Sequence, residues 1–395
     1  MICFYCISTQ LGGAERSLLE FLQGLIQKSD FRYRPWVIVP KAQGPLVDAL
    51  RASGIQVSVL PMPAGMLKLS RETPLKSLFL SVMTIWLLPF YFVRLLKLLK
   101  THHPKLIHTT GIKCHWIGAL AGKLLGIPVL WHLRDIFTPG PTRLLLQWTA
   151  RFTSLHMISN SQATQGSFQK SPLLGKVIYN GLQLERYQSQ KDQSIRAEYK
   201  IPLDAPLIGI VGALARWKGQ REFILAASDV LKLHPEAHFL IVGGGIYDTL
   251  GDQGYEQELI RLVSELNMNE RVHFTGFRKD SVVVYNNLDI LVHASTRPEP
   301  FGRVVLEAMA CSTATVATRG GGINEFVIDQ VTGLLVAPEN VSQMTAAISR
   351  LISDLPLQEK IVAAALEKLR NQFTMDRHVK EIQQTYLEIL SPHEA

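Results

Sequence analysis

Short apolar runs alternate with longer segments of helical periodicity along almost the whole chain. Met1–Ser8, Trp36–Val39, Val57–Leu60, Leu106–His108 and Val129–Trp131 read as buried strands in the first half. Leu207–Val211, Phe239–Val242, Val272–Gly276 and Leu288–Val292 do so in the second. The intervening segments include a helix predicted over Ala14–Ile26 and a shorter one over Val304–Ala310. Asp376–Leu390 is amphipathic through Val379, Ile382, Tyr386, Ile389 and Leu390. Continuous apolar strands separated by helices are the pattern of a doubly wound parallel sheet, buried on both faces. A chain of 395 residues is long enough for two such domains, each with its own core. The polar stretch Glu185–Arg196 is the boundary candidate, giving domains 1–187 and 188–375 and a last helix in 376–395. No internal repeat or low-complexity tract is apparent.

One segment interrupts the rhythm. Leu78–Leu96 is nearly all apolar, and no charge occurs from Ser77 to Val93, with Arg71 and Lys76 before it and Arg94, Lys97 and Lys100 after. Its length touches the range of a membrane span. A span would divide one sheet between two sides of a bilayer, which counts against it. Two readings stay open: a helix buried in the first domain, or a helix or helical hairpin dipping into one leaflet with Pro89 at its bend. Trp86, Phe90, Tyr91 and Phe92 with basic flanks suit the lipid interface.

Charge adds to this picture. Residues 1–185 hold 20 Lys and Arg against 7 Asp and Glu, whereas residues 186–395 are net acidic, for a total of +8. The first half therefore wants an anionic partner, and a membrane surface or anionic acceptor fits better than nucleic acid, for which no recognition signature is present. The four cysteines are too scattered for a disulfide framework, and Cys3 and Cys6 read as buried strand residues. With no secretory signal pattern at the start, the expected location is the cytoplasm, peripheral and monotopic at the inner face of the cell membrane.

The residues that carry chemistry cluster where strands end. In Ser295–Glu325, Pro298, Pro300 and Gly302 form a loop that opens onto a helix, and Glu299 and Glu307 bracket its start. A helix start presents unpaired N–H groups and a positive dipole end to a phosphate. Phosphate held by Phe301, Gly302, Arg303 and Val304, with hydroxyls held by two carboxylates, describes a sugar nucleotide. Gly320-Gly-Gly322 and Glu325 follow. Gly12–Gly13 after the first strand, Gly212–Gly219 with Arg216 and Lys218, and Gly243-Gly-Gly245 are further strand-to-glycine exits. His132 lies at the carboxyl end of a strand, where clefts form in open α/β sheets, and Asp135 follows three residues on.

In this combination the chain resembles the retaining glycosyltransferases of family four, which have the GT-B fold of two Rossmann-like domains facing across a cleft. The resemblance covers nearly the whole chain and is densest from Leu207 to Pro338. It implies that Gly12 and Gly13 face the donor diphosphate or the acceptor, and that His132 is directed at the donor sugar. Glu299 would take the sugar hydroxyls, Glu307 the ribose hydroxyls, and Lys218 the leaving diphosphate. Gly243 lies near the nucleotide, Phe277 and Arg278 near the base, and the last helix crosses back onto the first domain. The family has an arginine directly after Gly212, where this chain has Ala213. Arg216 is a speculative replacement.

The expected activity is metal-independent transfer of a hexose from a UDP-, GDP- or similar nucleotide-sugar, with retention of configuration and the leaving phosphate helping to deprotonate the acceptor. The absence of any Asp-x-Asp agrees with a mechanism that requires neither metal nor cofactor. The acceptor is expected to be a lipid or lipid-linked saccharide, with a soluble acceptor as the alternative. Ala213 keeps open a protein that binds nucleotide sugars without turnover.

Overall fold

The computed structural model describes residues 1–28, 32–63, 77–153, 155–168, 175–190, 192–244 and 254–391, with backbone alone over 77–85. Gly245, Arg71 and Lys76, singled out above, lie outside the described residues. The chain divides into two compact units, Met1–Gly181 with Met375–Ala395, and Leu182–Thr374. Leu182–Tyr187, placed above in the first domain, thus lie with the second. Leu182 N–H donates to Phe373 O, and the Tyr187 hydroxyl to Glu307.

The first unit contains β1 (Ile2–Tyr5), α1 (Gly13–Gln27), β2 (Pro35–Val39), α2 (Pro45–Ala52), β3 (Gln56–Val59) and α3 (Ser77–His102). It continues with β4 (Leu106–Thr110), α4 (Ile112–Leu125), β5 (Val129–Leu133), α5 (Pro141–Thr153), β6 (His156–Ser159) and α6 (Gln162–Ser167). Its six parallel strands run in the order β3-β2-β1-β4-β5-β6. Strand alternation sends Ile2, Phe4 and Cys6 into one core with α1 and α2, and Cys3 and Tyr5 into the other with α3, α4 and α5. Both cysteines are thus strand packing, and burial pushes the Cys6 thiol up to about 12.

Helix α3 resolves the sidedness of the apolar segment. Tyr91, Leu95 and Leu99, spaced one helical turn apart, pack into the core, and the Tyr91 and Tyr5 hydroxyls are 2.5 Å apart. Trp86 and Phe90 point away and are 75% and 73% exposed, with Leu87 and Val93 beside them. The helix runs unbroken through Pro89, so the hairpin form is not adopted. Among the described residues, no helix is long and apolar enough to cross a membrane.

The second unit contains α7 (Ser194–Glu198), β7 (Leu207–Val211), α8 (Gln220–Leu233), β8 (His238–Val242), α9 (Tyr255–Glu265), β9 (Val272–Gly276), α10 (Ser281–Asn287) and β10 (Ile290–His293). Then come α11 (Arg303–Ala310), β11 (Ala314–Thr318), β12 (Leu334–Val336), α12 (Val341–Ser353) and α13 (Leu355–Gln372). Its parallel strands run β12-β11-β10-β7-β8-β9. The order reverses between β7 and β10, so the loops leaving those two strands diverge and leave a crevice at their carboxyl ends. The final helix α14 (Met375–Leu390) belongs to the first unit, where Met375, Val379, Ile382 and Tyr386 join the core beneath α1.

Candidate active site

Two loops converge at the switch point of the second unit. The one after β7 contains a single 3-10 turn, Arg216–Lys218, before α8 begins. The one after β10 passes through Pro298-Glu299-Pro300, where the flanking prolines restrict the backbone, and then starts α11 at Gly302. Thr296 N–H donates to Trp217 O at 2.8 Å and joins the loops.

That junction brings Lys218 to Glu299. Lys218 Nζ donates to Glu299 Oε1 at 2.5 Å, and both side chains are largely out of solvent. His293 Nε2, at 2.9 Å, and the Ser295 hydroxyl, at 2.5 Å, also meet Oε1. Burial alone would push the Glu299 pKa up. The Lys218 ammonium and His293 outweigh it and hold the carboxyl well below the usual range. Glu299 is therefore a fixed carboxylate, with Oε2 outside all three bonds. Sequence reasoning missed His293 and Ser295, although both stand at a strand exit, the one signal that pointed to them.

The Gly320-Gly-Gly322 loop serves this carboxylate through its backbone. Gly321 has φ of +64°, and a Cβ there would lie 1.9 Å from Glu299 O. Gly322 N–H donates to the same carbonyl at 2.9 Å. Only glycine permits both the conformation and the approach. Phe301, next in the loop, is buried against Phe326 and Phe373 and anchors the entry to α11, where Gly302, Arg303 and Val304 present the first-turn backbone.

Glu307, one turn into α11, is buried and fully engaged. Tyr187 donates to Oε1 at 3.1 Å, Tyr285 to Oε2 at 2.9 Å, and Arg303 Nε to Oε1 at 2.6 Å. Neither tyrosine carried a sequence signal: Tyr187 lies 120 residues away, and Tyr285 reads as helix packing. Arg216 turns toward α9, donating to Glu258 at 2.5 Å with its guanidinium over the Tyr255 ring. Gly243 follows β8 against the Gly212 carbonyl, and Phe277 is half exposed beside Gly244. Arg278 is held by Glu198 and Asp280.

In the first unit, His132 is the next-to-last residue of β5 and is fully buried. Its Nδ1 meets His108 Nε2 at 3.3 Å and Arg134 Nη2 at 3.4 Å. Arg134 Nη1 also donates to Ala14 O, tying the β5 exit to the Gly12–Gly13 turn at the start of α1. Burial first, then the Arg134 charge, pushes the His132 pKa well down, so the ring is neutral.

The family model described as Glycosyltransferase Family 4 matches residues 11–186, and that described as Glycosyl transferases group 1 matches residues 191–368. A putative glycosyltransferase YtcC of Bacillus subtilis is 29% identical over 57% of this chain and 57% of its own length. A D-inositol 3-phosphate glycosyltransferase of Corynebacterium jeikeium is 34% identical over 45% of this chain and 43% of its own. The match thus spans about half the length of these curated relatives. Among solved structures, Anabaena Alr3699/HepE in complex with UDP-glucose is 27% identical, covers 98% of this chain and 99% of that one, and has a TM-score of 0.82. Two family models that divide the chain as its two parallel sheets do, and a solved likeness over nearly its full length, lead to one conclusion: the chain belongs to the GT-B glycosyltransferases.

Proposed function

We propose that the protein transfers a hexose from a uridine diphosphate hexose to an acceptor hydroxyl, with retention of configuration and without a metal. The observation that carries this reading is the buried Lys218–Glu299 pair at the β7–β10 switch point. Glu299 Oε2 accepts a sugar hydroxyl while Lys218 and the first-turn N–H groups of α11 face the diphosphate. Charge that grows on the departing diphosphate is met by groups already in place, which need no reorganisation during the reaction. The solved UDP-glucose complex of the Anabaena relative supports the choice of donor.

The acceptor in this reading is a lipid or lipid-linked saccharide at an anionic membrane surface. Support comes from the outer surface of the α3–α4–α5 layer. Trp86, Leu87, Phe90 and Val93 on α3 are exposed, as are Leu144, Leu145, Trp148 and Phe152 on α5. The Trp148 and Phe152 rings stack, with the Lys123 ammonium 3.6 Å from the Phe152 centroid. Arg94, Lys97 and Arg151 are exposed on the same helices. Apolar side chains among cations are what an anionic interface takes up.

The deciding experiment incubates the protein with labelled sugar nucleotides and a total membrane lipid extract, then extracts with organic solvent. Label in the organic phase from UDP-glucose or another UDP-hexose is the expected result. Label only in soluble product overturns the lipid acceptor, and no transfer with donor still bound overturns the activity. One observation favours that last outcome as a second reading: Ala213 occupies the family's arginine position, and Arg216 is committed to Glu258.

A further inference from the structure

The second unit holds a cavity that the Lys218–Glu299 crevice does not use. It opens between the segment Leu184–Ser189, the carboxyl end of α11 and the last turns of α13, with a volume of about 330 Å³. Helix α11 has eight residues, so roughly 12 Å of helix separates its first-turn backbone from this cavity. Leu366 and Leu369 lie three residues apart on one face of α13 and give it an apolar wall. Leu184 and the Tyr187 side chain, from the segment that includes the 3-10 turn Leu184–Arg186, add to that apolar lining. Size, apolar walls and a few polar groups are the features of a small-molecule site.

The segment that closes the cavity is held at both ends and in the middle. Leu182 N–H donates to Phe373 O at 2.8 Å. Asn286 on α10 accepts from Gln190 N–H at 3.0 Å and donates to Gln188 O at 3.2 Å. Between them, the Tyr187 hydroxyl donates to Glu307 Oε1 at 3.1 Å. Arg370 is the one charged residue that lines the cavity among the described residues, and its guanidinium is in no ion pair among them. A guanidinium grips a phosphate or carboxylate through parallel N–H donors.

We propose that this cavity is a second ligand site, which takes a small amphipathic anion. Its apolar body lies against Leu184, Leu366, Leu369 and the Tyr187 ring, and its phosphate or carboxylate lies on Arg370. The site does not depend on the transfer reaction proposed above, but its consequence does. Tyr187 belongs to both places: its side chain lines the cavity and its hydroxyl supports Glu307, beside Arg303 Nε at 2.6 Å. An occupant packed on Tyr187 therefore alters the support of Glu307 and the affinity of the unit for the sugar nucleotide. Linkage requires the nucleotide to alter occupant affinity by the same factor.

The probe is phenyl phosphate, which brings a ring to the leucines and a phosphate to Arg370. Phenylacetate is its carboxylate counterpart, and the tighter of the two identifies the anion preferred. Binding is measured by calorimetry on the full chain saturated with UDP, which keeps the probe out of the diphosphate crevice. Arg370→Ala is expected to weaken the probe about tenfold. Leu366→Trp, which fills the cavity, is expected to abolish binding. Arg370 is exposed, so its variant keeps the test decisive even if Leu366→Trp does not fold. UDP-glucose affinity is expected to change about fivefold in saturating probe. Failure of both probes to bind, or binding that Arg370→Ala leaves intact, overturns the site. An unchanged UDP-glucose affinity overturns the link through Tyr187. A probe that binds through Arg370 in a protein with no affinity for UDP-glucose supports the site and sinks the proposed function instead.

Discussion

Lys218 and Glu299 stand 81 residues apart in sequence and 2.5 Å apart in the fold. Each leaves the carboxyl end of a strand, and β7 and β10 are paired in parallel, so both loops open at the same edge of the sheet. The pair sits where the strand order reverses, which places a fixed cation and a fixed carboxylate in one crevice.

Lys218→Met leaves the Glu299 carboxylate buried with only His293 and Ser295 as partners. Breaking a buried pair by removing one partner costs about 3 kcal/mol, and loss of the cation is expected to lower kcat about a hundredfold. The Glu299 pKa is depressed in the folded state, so its contribution to stability is present above the ordinary carboxylate value and lost as pH falls through the folded one. Acid unfolding of the variant should begin at higher pH than in the parent. Coincident acid transitions would show that the pair adds nothing to stability.

Glu307→Ala separates a structural role from a binding one. It removes the buried carboxylate that accepts from Tyr187, Tyr285 and Arg303, at a cost of about 3 kcal/mol in denaturant unfolding. If Glu307 also holds the ribose, donor binding by calorimetry is abolished in the protein that remains folded. Retained affinity assigns Glu307 to the support of α11 alone.

Histidines give the first unit an acid limit. Burial pushes His115 and His378 down to about 3, and His108 and His132 are lowered as well. The unfolded chain takes up these protons near pH 6.5, so stability is complete above that value and falls below it by roughly 1.4 kcal/mol per pH unit for each histidine. Urea midpoints measured from pH 7 to pH 5 should fall steadily. A flat profile would mean that these rings protonate in the folded protein.

Phe90→Glu and Trp148→Glu replace exposed side chains, so folding should be unaffected. Both are expected to reduce sedimentation with anionic vesicles several-fold, with high salt weakening the parent in the same direction. Unchanged binding would remove the α3–α5 surface from the membrane reading.

Much of this was legible locally. Strands such as Leu207–Val211 and Val272–Gly276 are apolar runs with glycine exits, and the structure has them at those positions. Glu299 was legible because the prolines, the glycines and the helix start lie within a few residues of it. Sidedness was not. Ser77–Val93 carries no charge, so its pattern could not say which apolar residues face the core, and only packing on the sheet turned Tyr91 inward and Phe90 outward.

The sequence by itself determined the alternation of strand and helix, the two-domain division and the residue types gathered at strand ends, because these follow from local periodicity and turn chemistry. Tertiary structure alone decided which of those residues meet. Strand order joined Lys218 to Glu299, closed Tyr187 over Glu307, turned Arg216 to Glu258 and set Tyr386 beneath His108. The physical reason is that a parallel sheet brings distant strand ends to one edge, and local propensity carries no record of which strands will be neighbours.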